Sequence, residues 1–365
     1  MKKTGIVGLL LDKLDSLKGQ ALIEQSGGNT GNIMFTHGVC TQVYKPEIIG
    51  YQFGAKSDLI NSEFSGLVIP AANWIDANAD WGFLADALEN INIPICCVGL
   101  GSQIPVSRAK DIKPGTIRFL NLLSKKSALI GVRGEKTAEI LAALGINNTV
   151  VCGCPSVYLN LAAMQIPSFP EKPQAKRISI SFTRYTTKDP DLESQRPIAR
   201  LAAQHANSII LQSEMIEARH IAGEKAQPSE EEWLSHYYDV SHTQLDELFS
   251  RMKMFPTHKN WIDFHKGNTD ITVTSRIHGA IASFLAGKPA FVIAHDQRTS
   301  ELSETMGIPN IPLKDLDTIE QLLDYDTQFS LYDKERLIER HRLNLELIKH
   351  VYSSCGITTC ISSEE

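Results

Sequence analysis

The chain has 365 residues, 36 Lys plus Arg against 42 Asp plus Glu, and a formal net charge of -6. Its 42% hydrophobic and 21% charged content excludes a disordered, collagen-like or disulfide-scaffold protein, and its length suggests two or three domains. The acidic balance argues against a broad nucleic-acid or anionic-membrane surface, so any bound anion must be met by a local cluster of basic residues.

At the start, the apolar stretch Ile6–Leu11 is broken by Asp12 and Lys13 before it could serve as a signal segment, and no run approaches membrane-spanning length. Cysteines fall at 40, 96, 97, 152, 154, 355 and 360. Cys96 and Cys97 sit in an apolar run, and Cys152-Gly153-Cys154 has neither redox nor zinc spacing. Reduced thiols, no metal and a cytoplasmic location are the expectation.

In chain order, the pattern predicts a strand over Gly66–Pro70, a helix over Ala79–Asn90 and a strand over Ile93–Gly99. A strand over Ala128–Val132, a helix over Glu135–Leu144 stopped by Gly145, and a strand over Thr149–Cys152 follow. Continuous apolar strands alternating with helices mean a parallel sheet covered on both faces. Three prolines in Ile166–Pro173 read as an extended linker.

The pattern then restarts: strand Arg177–Phe182, helix Leu192–Gln204, strand Ser208–Gln212, and amphipathic helices over Glu230–Tyr238 and Gln244–Met254. A strand over Asp270–Thr274, a helix over Ala280–Ala286 ended by Gly287, and a strand over Ala290–Ala294 complete it. The predicted organisation is a Rossmann-like domain over 1–165, a Pro-rich linker over 166–175, a second Rossmann-like domain over 176–315, and a helical segment and tail over 316–365. Two doubly wound α/β domains facing a cleft is the layout of GT-B-type glycosyltransferases, with ligands expected at the carboxyl ends of the strands.

The sharpest local signal is Thr274-Ser275-Arg276-Ile277-His278-Gly279-Ala280, placed where a buried strand ends and a helix begins. The helix N-terminus favours an anion there, Arg276 adds a forked cation, and His278 can supply a proton. Ser275 and Gly279 frame that loop. A bland reading has Arg276 capping a neighbouring strand and His278 satisfied by backbone.

After the next strand, Arg298 could hold a second negative group, while Asp296 or Glu301 could accept a hydroxyl proton. Equally, Asp296 could cap the following helix and Arg298 pair with Glu301 in solvent. In the first half, Arg133 stands at a strand end ahead of a helix, where the dipole disfavours a cation unless an anion is bound.

The turn carrying Gly28, Asn29, Gly31 and Asn32 can present backbone N–H groups but lacks dinucleotide or P-loop spacing. Asn73, Ser102 and Arg184 follow other strands and could line the same cleft. For Asn73 and Asp76 a helix cap is the plainer reading.

Together, Gly28-Asn29-Thr30-Gly31-Asn32, Gly131-Val132-Arg133-Gly134-Glu135 ahead of Leu144-Gly145-Ile146, and Cys152-Gly153-Cys154-Pro155 resemble the first half of the polysaccharide pyruvyl transferase family. Ser275–Ala280 with Ala286-Gly287-Lys288-Pro289, then Asp296-Gln297-Arg298 and Met306-Gly307-Ile308-Pro309, resemble its second half. The resemblance implies transfer of a pyruvyl group from phosphoenolpyruvate onto two hydroxyls of a sugar, forming a ketal and releasing phosphate.

It implies that Arg276, His278 and Arg133 take the family's substrate-binding positions. Asn32 stands where an Asp is usual, and Arg298 matches only a subset of members. Arg276 and Arg133 would hold the carboxylate and phosphate, His278 would protonate the methylene carbon, and Asp296 or Glu301 would act as base. No cofactor or metal is needed, since arginine can neutralise the phosphate. The expected partners are phosphoenolpyruvate and a sugar or glycan acceptor, free or lipid-linked, with no nucleic acid and no integral membrane segment. A nucleotide-sugar glycosyltransferase and a non-catalytic ligand-binding protein are the competing readings.

Overall fold

A computed structural model describes residues 2–167, 177–183 and 192–361. The first half contributes β1 (Lys3–Ile6), β2 (Pro46–Ile48), β3 (Phe64–Pro70), β4 (Ile95–Leu100), β5 (Ile130–Val132) and β6 (Thr149–Val151). They form one parallel sheet in the order β2-β1-β3-β4-β5-β6. The second half contributes β7 (Ile178–Ser181), β8 (Ser208–Ile210), β9 (Met252–Lys253), β10 (Ile271–Thr274), β11 (Ala290–Ala294) and β12 (Asn310–Pro312). These also pair in parallel, in the order β12-β11-β10-β7-β8-β9. The two sheets with their helices form the two-part α/β, GT-B-like architecture that the strand–helix alternation predicts.

Every residue of β4 and of β11 is buried, as strands covered by helices on both faces must be. The structure departs from the sequence pattern where elements are too short to show a period. Lys3–Ile6 is an interior strand between β2 and β3. Gly5 makes that pairing possible, because a Cβ there would lie 2.4 Å from Leu67 Cδ2. The helix expected over Gln244–Met254 ends at Arg251, since Met252 and Lys253 pair with β8 as an edge strand. The helix expected from Ala280 begins at Ile277, which places His278 in its first turn. The linker lies largely outside the described residues.

The second sheet reverses its winding between β7 and β10, so the loops leaving the carboxyl ends of these two strands open a crevice. Each half has an apolar core of its own, around Leu67, Leu88 and Phe119 in the first and around Ile180, Leu201 and Leu248 in the second, and a further cluster is shared between them. The shared cluster runs from Ile6, Phe35 and Val98 through Val157 and Tyr158 to Ala280, Phe284 and Val292. The long helix Lys334–Ser354 joins the same cluster through Leu345, Ile348 and Tyr352. That helix returns onto the first half, where Tyr352 Oη donates to Gln42 Oε1 at 2.7 Å and His341 Nε2 accepts from Met164 N at 2.9 Å.

Candidate active site

Arg276 follows β10 at the switch point and leads into the helix Ile277–Leu285. Its Nε donates to the Phe182 carbonyl at 2.8 Å, just past β7, and its Nη2 donates to Ser213 Oγ and, at 2.9 Å, to Glu214 Oε1. Glu214 is 1% exposed, and its other oxygen accepts the N–H groups of Gln212 and Ser213 at 2.7 and 3.1 Å. A buried ion pair therefore fixes the guanidinium and offsets its charge. Ser275 donates to Gln195 Oε1 at 2.8 Å and so serves the loop itself. Gly279 allows the helix to close on the sheet, since a Cβ there would sit 2.8 Å from Thr274 Oγ1.

His278 is 6% exposed. Burial lowers its pKa to about 3, with the charges of Arg133 and Arg276 adding to the effect, so the ring is neutral at pH 7. Its Nε2 lies 3.9 Å from Cys154 Sγ, and its ring centroid 6.0 Å from that of Phe35. Two of the three influences that keep it neutral are cations, so an anion lodged between those cations would move its pKa upward.

Arg133 leaves the end of β5 and turns into the same space. Its Nε donates to the Gly99 carbonyl at 2.8 Å, and its Nη groups reach Asn73 Oδ1 and the Ala71 carbonyl at 3.4 Å each. The guanidinium carbon lies 5.9 Å from the Phe35 ring centroid. At 5% exposure, Arg133 has no carboxylate in ion-pair range among the described residues. Burial is the main influence lowering its pKa. A buried cation held only by neutral oxygens can accept an anion.

The glycine-rich turn of the first half packs against the second. Thr30 N–H donates to the Gln212 carbonyl at 3.0 Å, and a Cβ on Gly31 would lie 2.6 Å from Gln212 Oε1 and 2.7 Å from His278 Nδ1. Gly31 thus brings the turn within reach of His278. Asn29 accepts from Gly31 N–H at 2.8 Å, Asn32 Nδ2 donates to the Ser26 carbonyl at 3.0 Å, and Gly28 supplies a φ of +83°. Those three shape the turn.

Arg298 and Ser102 border a neighbouring cavity of about 320 Å³ between the halves, with Gln103, Lys136, Thr183 and Asp296. A chain of contacts ties it to Arg133: Arg298 Nη1 to Gln103 Oε1 at 3.3 Å, Gln103 Nε2 to the Asn73 carbonyl at 3.1 Å, and Asn73 Oδ1 to Arg133. Ser102 Oγ donates to the Ile104 carbonyl at 2.9 Å. Asp296 caps the helix Gln297–Met306 through Thr299 N–H at 2.6 Å and pairs with Arg298 at 2.9 Å. Burial works to raise its pKa, but Arg298, His295 and Thr299 outweigh it and hold the carboxyl below its ordinary range.

Glu301 crosses to the first half and accepts the Lys136 N–H at the start of the helix Glu135–Ala143, so its carboxylate latches the halves together. Arg184 lies outside the described residues. The structure therefore gathers Arg276, His278, Arg133, Asn73 and Gly31 at one buried centre, with Arg298, Asp296 and Ser102 around the adjoining cavity. Sequence reasoning passed over Gln212, Glu214 and Cys154. Gln212 and Glu214 carried a usable signal, since they follow β8 as Arg276 follows β10.

No His/Cys/Asp/Glu group able to hold a metal ion occurs among the described residues, and no helix among them is long and apolar enough to cross a membrane. No curated protein matches the sequence significantly. Among solved structures, one from Listeria monocytogenes assigned as a UDP-N-acetylglucosamine 2-epimerase aligns with a TM-score of 0.50 at 10% identity, covering 96% of each chain. The S. aureus MnaA–UDP structure aligns at 0.49 and 11% identity, covering 98% of this chain and 97% of the other. At such identity the likeness is one of fold. The polysaccharide pyruvyl transferase family model matches residues 33–297, a stretch that takes in Arg133, Arg276, His278 and Asp296. With most of its length inside that match, the chain belongs to the polysaccharide pyruvyl transferase family.

Proposed function

We propose that this protein transfers the pyruvyl group of phosphoenolpyruvate to two hydroxyls of a sugar in a polysaccharide or glycan precursor, forming a ketal and releasing phosphate. The observation that carries the reading is Arg133, a buried guanidinium whose partners are neutral oxygens, beside a histidine kept neutral by burial and by two cations. Phosphoenolpyruvate supplies a carboxylate and a phosphate on a three-carbon frame. One of these groups takes the open side of Arg133, and the other meets Arg276 at the mouth of the helix Ile277–Leu285.

The anion raises the proton affinity of His278, which then protonates the methylene carbon and turns it into a methyl group. The adjoining carbon becomes electron-poor, and a sugar hydroxyl adds to it. The C–O bond to phosphate breaks, and the second hydroxyl adds to the same carbon to close the ketal. One of the two hydroxyl protons restores His278 and the other leaves with phosphate. Asp296, held anionic beside the cavity, takes the second hydroxyl proton and passes it to the departing phosphate; attack on so electron-poor a carbon asks little of its base.

The test is phosphate release from phosphoenolpyruvate with a panel of sugars and glycan precursors, followed by product mass. A mass gain equal to pyruvate less one water is expected. His278→Gln should lose at least about 100-fold in kcat with an unchanged Tm. Near-wild-type turnover of that variant, or wild-type protein that releases phosphate with no acceptor, would overturn the assignment.

A further inference from the structure

Gln212 is 1% exposed, and its backbone is fixed at both ends. Its N–H donates to Glu214 at 2.7 Å, and its carbonyl accepts from Thr30 of the first half at 3.0 Å. Its side-chain amide is nevertheless unpartnered among the described residues, with Nε2 and Oε1 both buried. An unsatisfied buried amide carries the full cost of leaving water, a burden rarely kept without use.

Its Oε1 borders the same point above Gly31 as His278 Nδ1, at 2.6 and 2.7 Å, with Asn29 Oδ1 at 2.9 Å from that point. Nδ1 thus shares one small space with two side-chain oxygens, of which Asn29 Oδ1 is already engaged by Gly31 N–H. Nε2, on the other edge of the ring, faces Cys154.

We propose that Gln212 is the positioning residue for His278: its Oε1, unbonded in this structure, turns to take the Nδ1–H, fixing that tautomer and leaving Nε2 as the nitrogen that gains and donates the proton. The inference rests on the proposed acid role of His278 and adds the residue that orients it. The tautomer follows from matching a donor to the one oxygen left open. When Nε2 is protonated, the hydrogen bond from Nδ1 shares the positive charge. Arg133 from the first half and Arg276 on the same loop oppose that charge, and Glu214 offsets Arg276. Cys154 is the remaining titratable neighbour.

The experiment is nitrogen-15 NMR of histidine-labelled full-length protein, with the His278 signals identified by their loss in His278→Gln. Wild type at pH 7 is expected to show a protonated Nδ1 and an unprotonated Nε2. Gln212→Met, which keeps the volume and removes the acceptor, should abolish that preference. Gln212→Glu, which keeps the acceptor and adds charge, should retain it and raise the His278 pKa by a unit or more.

In turnover, Gln212→Met should lose about 10- to 100-fold in kcat with KM within about twofold, and Gln212→Glu should recover part of it with its acid limb moved to higher pH. The same tautomer and pKa in all three proteins overturns the proposal, as does a protonated Nε2 in wild type. The spectra require no phosphoenolpyruvate, so absence of pyruvyl transfer with the expected tautomers intact overturns the function and leaves the assignment of Gln212 standing.

Discussion

Replacing Arg133 by Met separates two explanations of a buried cation. As a structural residue, its loss should destabilise the fold. As a residue held for an anion, its loss should relieve the protein while disarming it. The methionine fills most of the space, and the desolvation penalty of the guanidinium, worth several kcal/mol, disappears. Against that, the Gly99 and Ala71 carbonyls lose a donor, at roughly 1–3 kcal/mol each. The two contributions nearly cancel, so the unliganded variant should match the wild type or exceed it by up to about 3 kcal/mol. In a chain of this size that is a Tm rise of no more than roughly 4 °C. The ligand-bound state loses two charge-assisted hydrogen bonds worth about 1.5–3 kcal/mol each, which is about 10²- to 10⁴-fold in affinity. Thermal unfolding with and without phosphoenolpyruvate reads both quantities. A fall in Tm of more than several degrees together with a preserved ligand-induced shift would refute the reasoning and return Arg133 to a structural role.

Two further outcomes are expected. Gly31→Ala forces a methyl group to within 2.6 Å of Gln212 Oε1 and 2.7 Å of His278 Nδ1, so the turn must shift. It should cost about 1–3 kcal/mol by urea unfolding and at least about tenfold in kcat, and a variant with wild-type kcat would show that the close approach is dispensable. His37 and His258 stack across the two halves with ring centroids 3.1 Å apart; burial, then the charge of His258, lowers the His37 pKa to about 3, and burial is the main influence lowering that of His258. The folded state therefore binds fewer protons than the unfolded chain, so stability is full above about pH 6.5 and is lost as pH falls toward 3. His37→Phe should shrink the loss between pH 7 and pH 5 by up to about 2 kcal/mol, and an unaltered slope would show that the stack does not carry it.

What the sequence disclosed of this site followed from one rule, that residues just past buried parallel strands meet at the crevice. Arg133, Arg276, Asp296 and Ser102 all obey it. What it did not disclose were partnerships fixed by sheet order. Glu214 is 62 residues from Arg276, and they meet because β8 lies next to β7 and β7 next to β10. Glu301 reads along the chain as a companion of Arg298, yet it reaches 165 residues back to Lys136. The two-sheet fold was legible because strands such as β4 and β11 are apolar throughout. Lys3–Ile6, Met252–Lys253 and Asn310–Pro312 were not, because two to four residues carry no period and their pairing is supplied by neighbours.

The apolar cluster shared by the two halves limits how the molecule can open. Drawing the halves apart would wet Phe35, Tyr158, Ala280 and Phe284 together, so admitting a substrate to the buried centre calls for a tilt about that oily floor, with the Glu301 latch released at the rim. For the same reason, a fragment cut near residue 165 would carry half of this floor bare to water, without the Lys334–Ser354 helix to cover it, and should aggregate more readily than the intact chain.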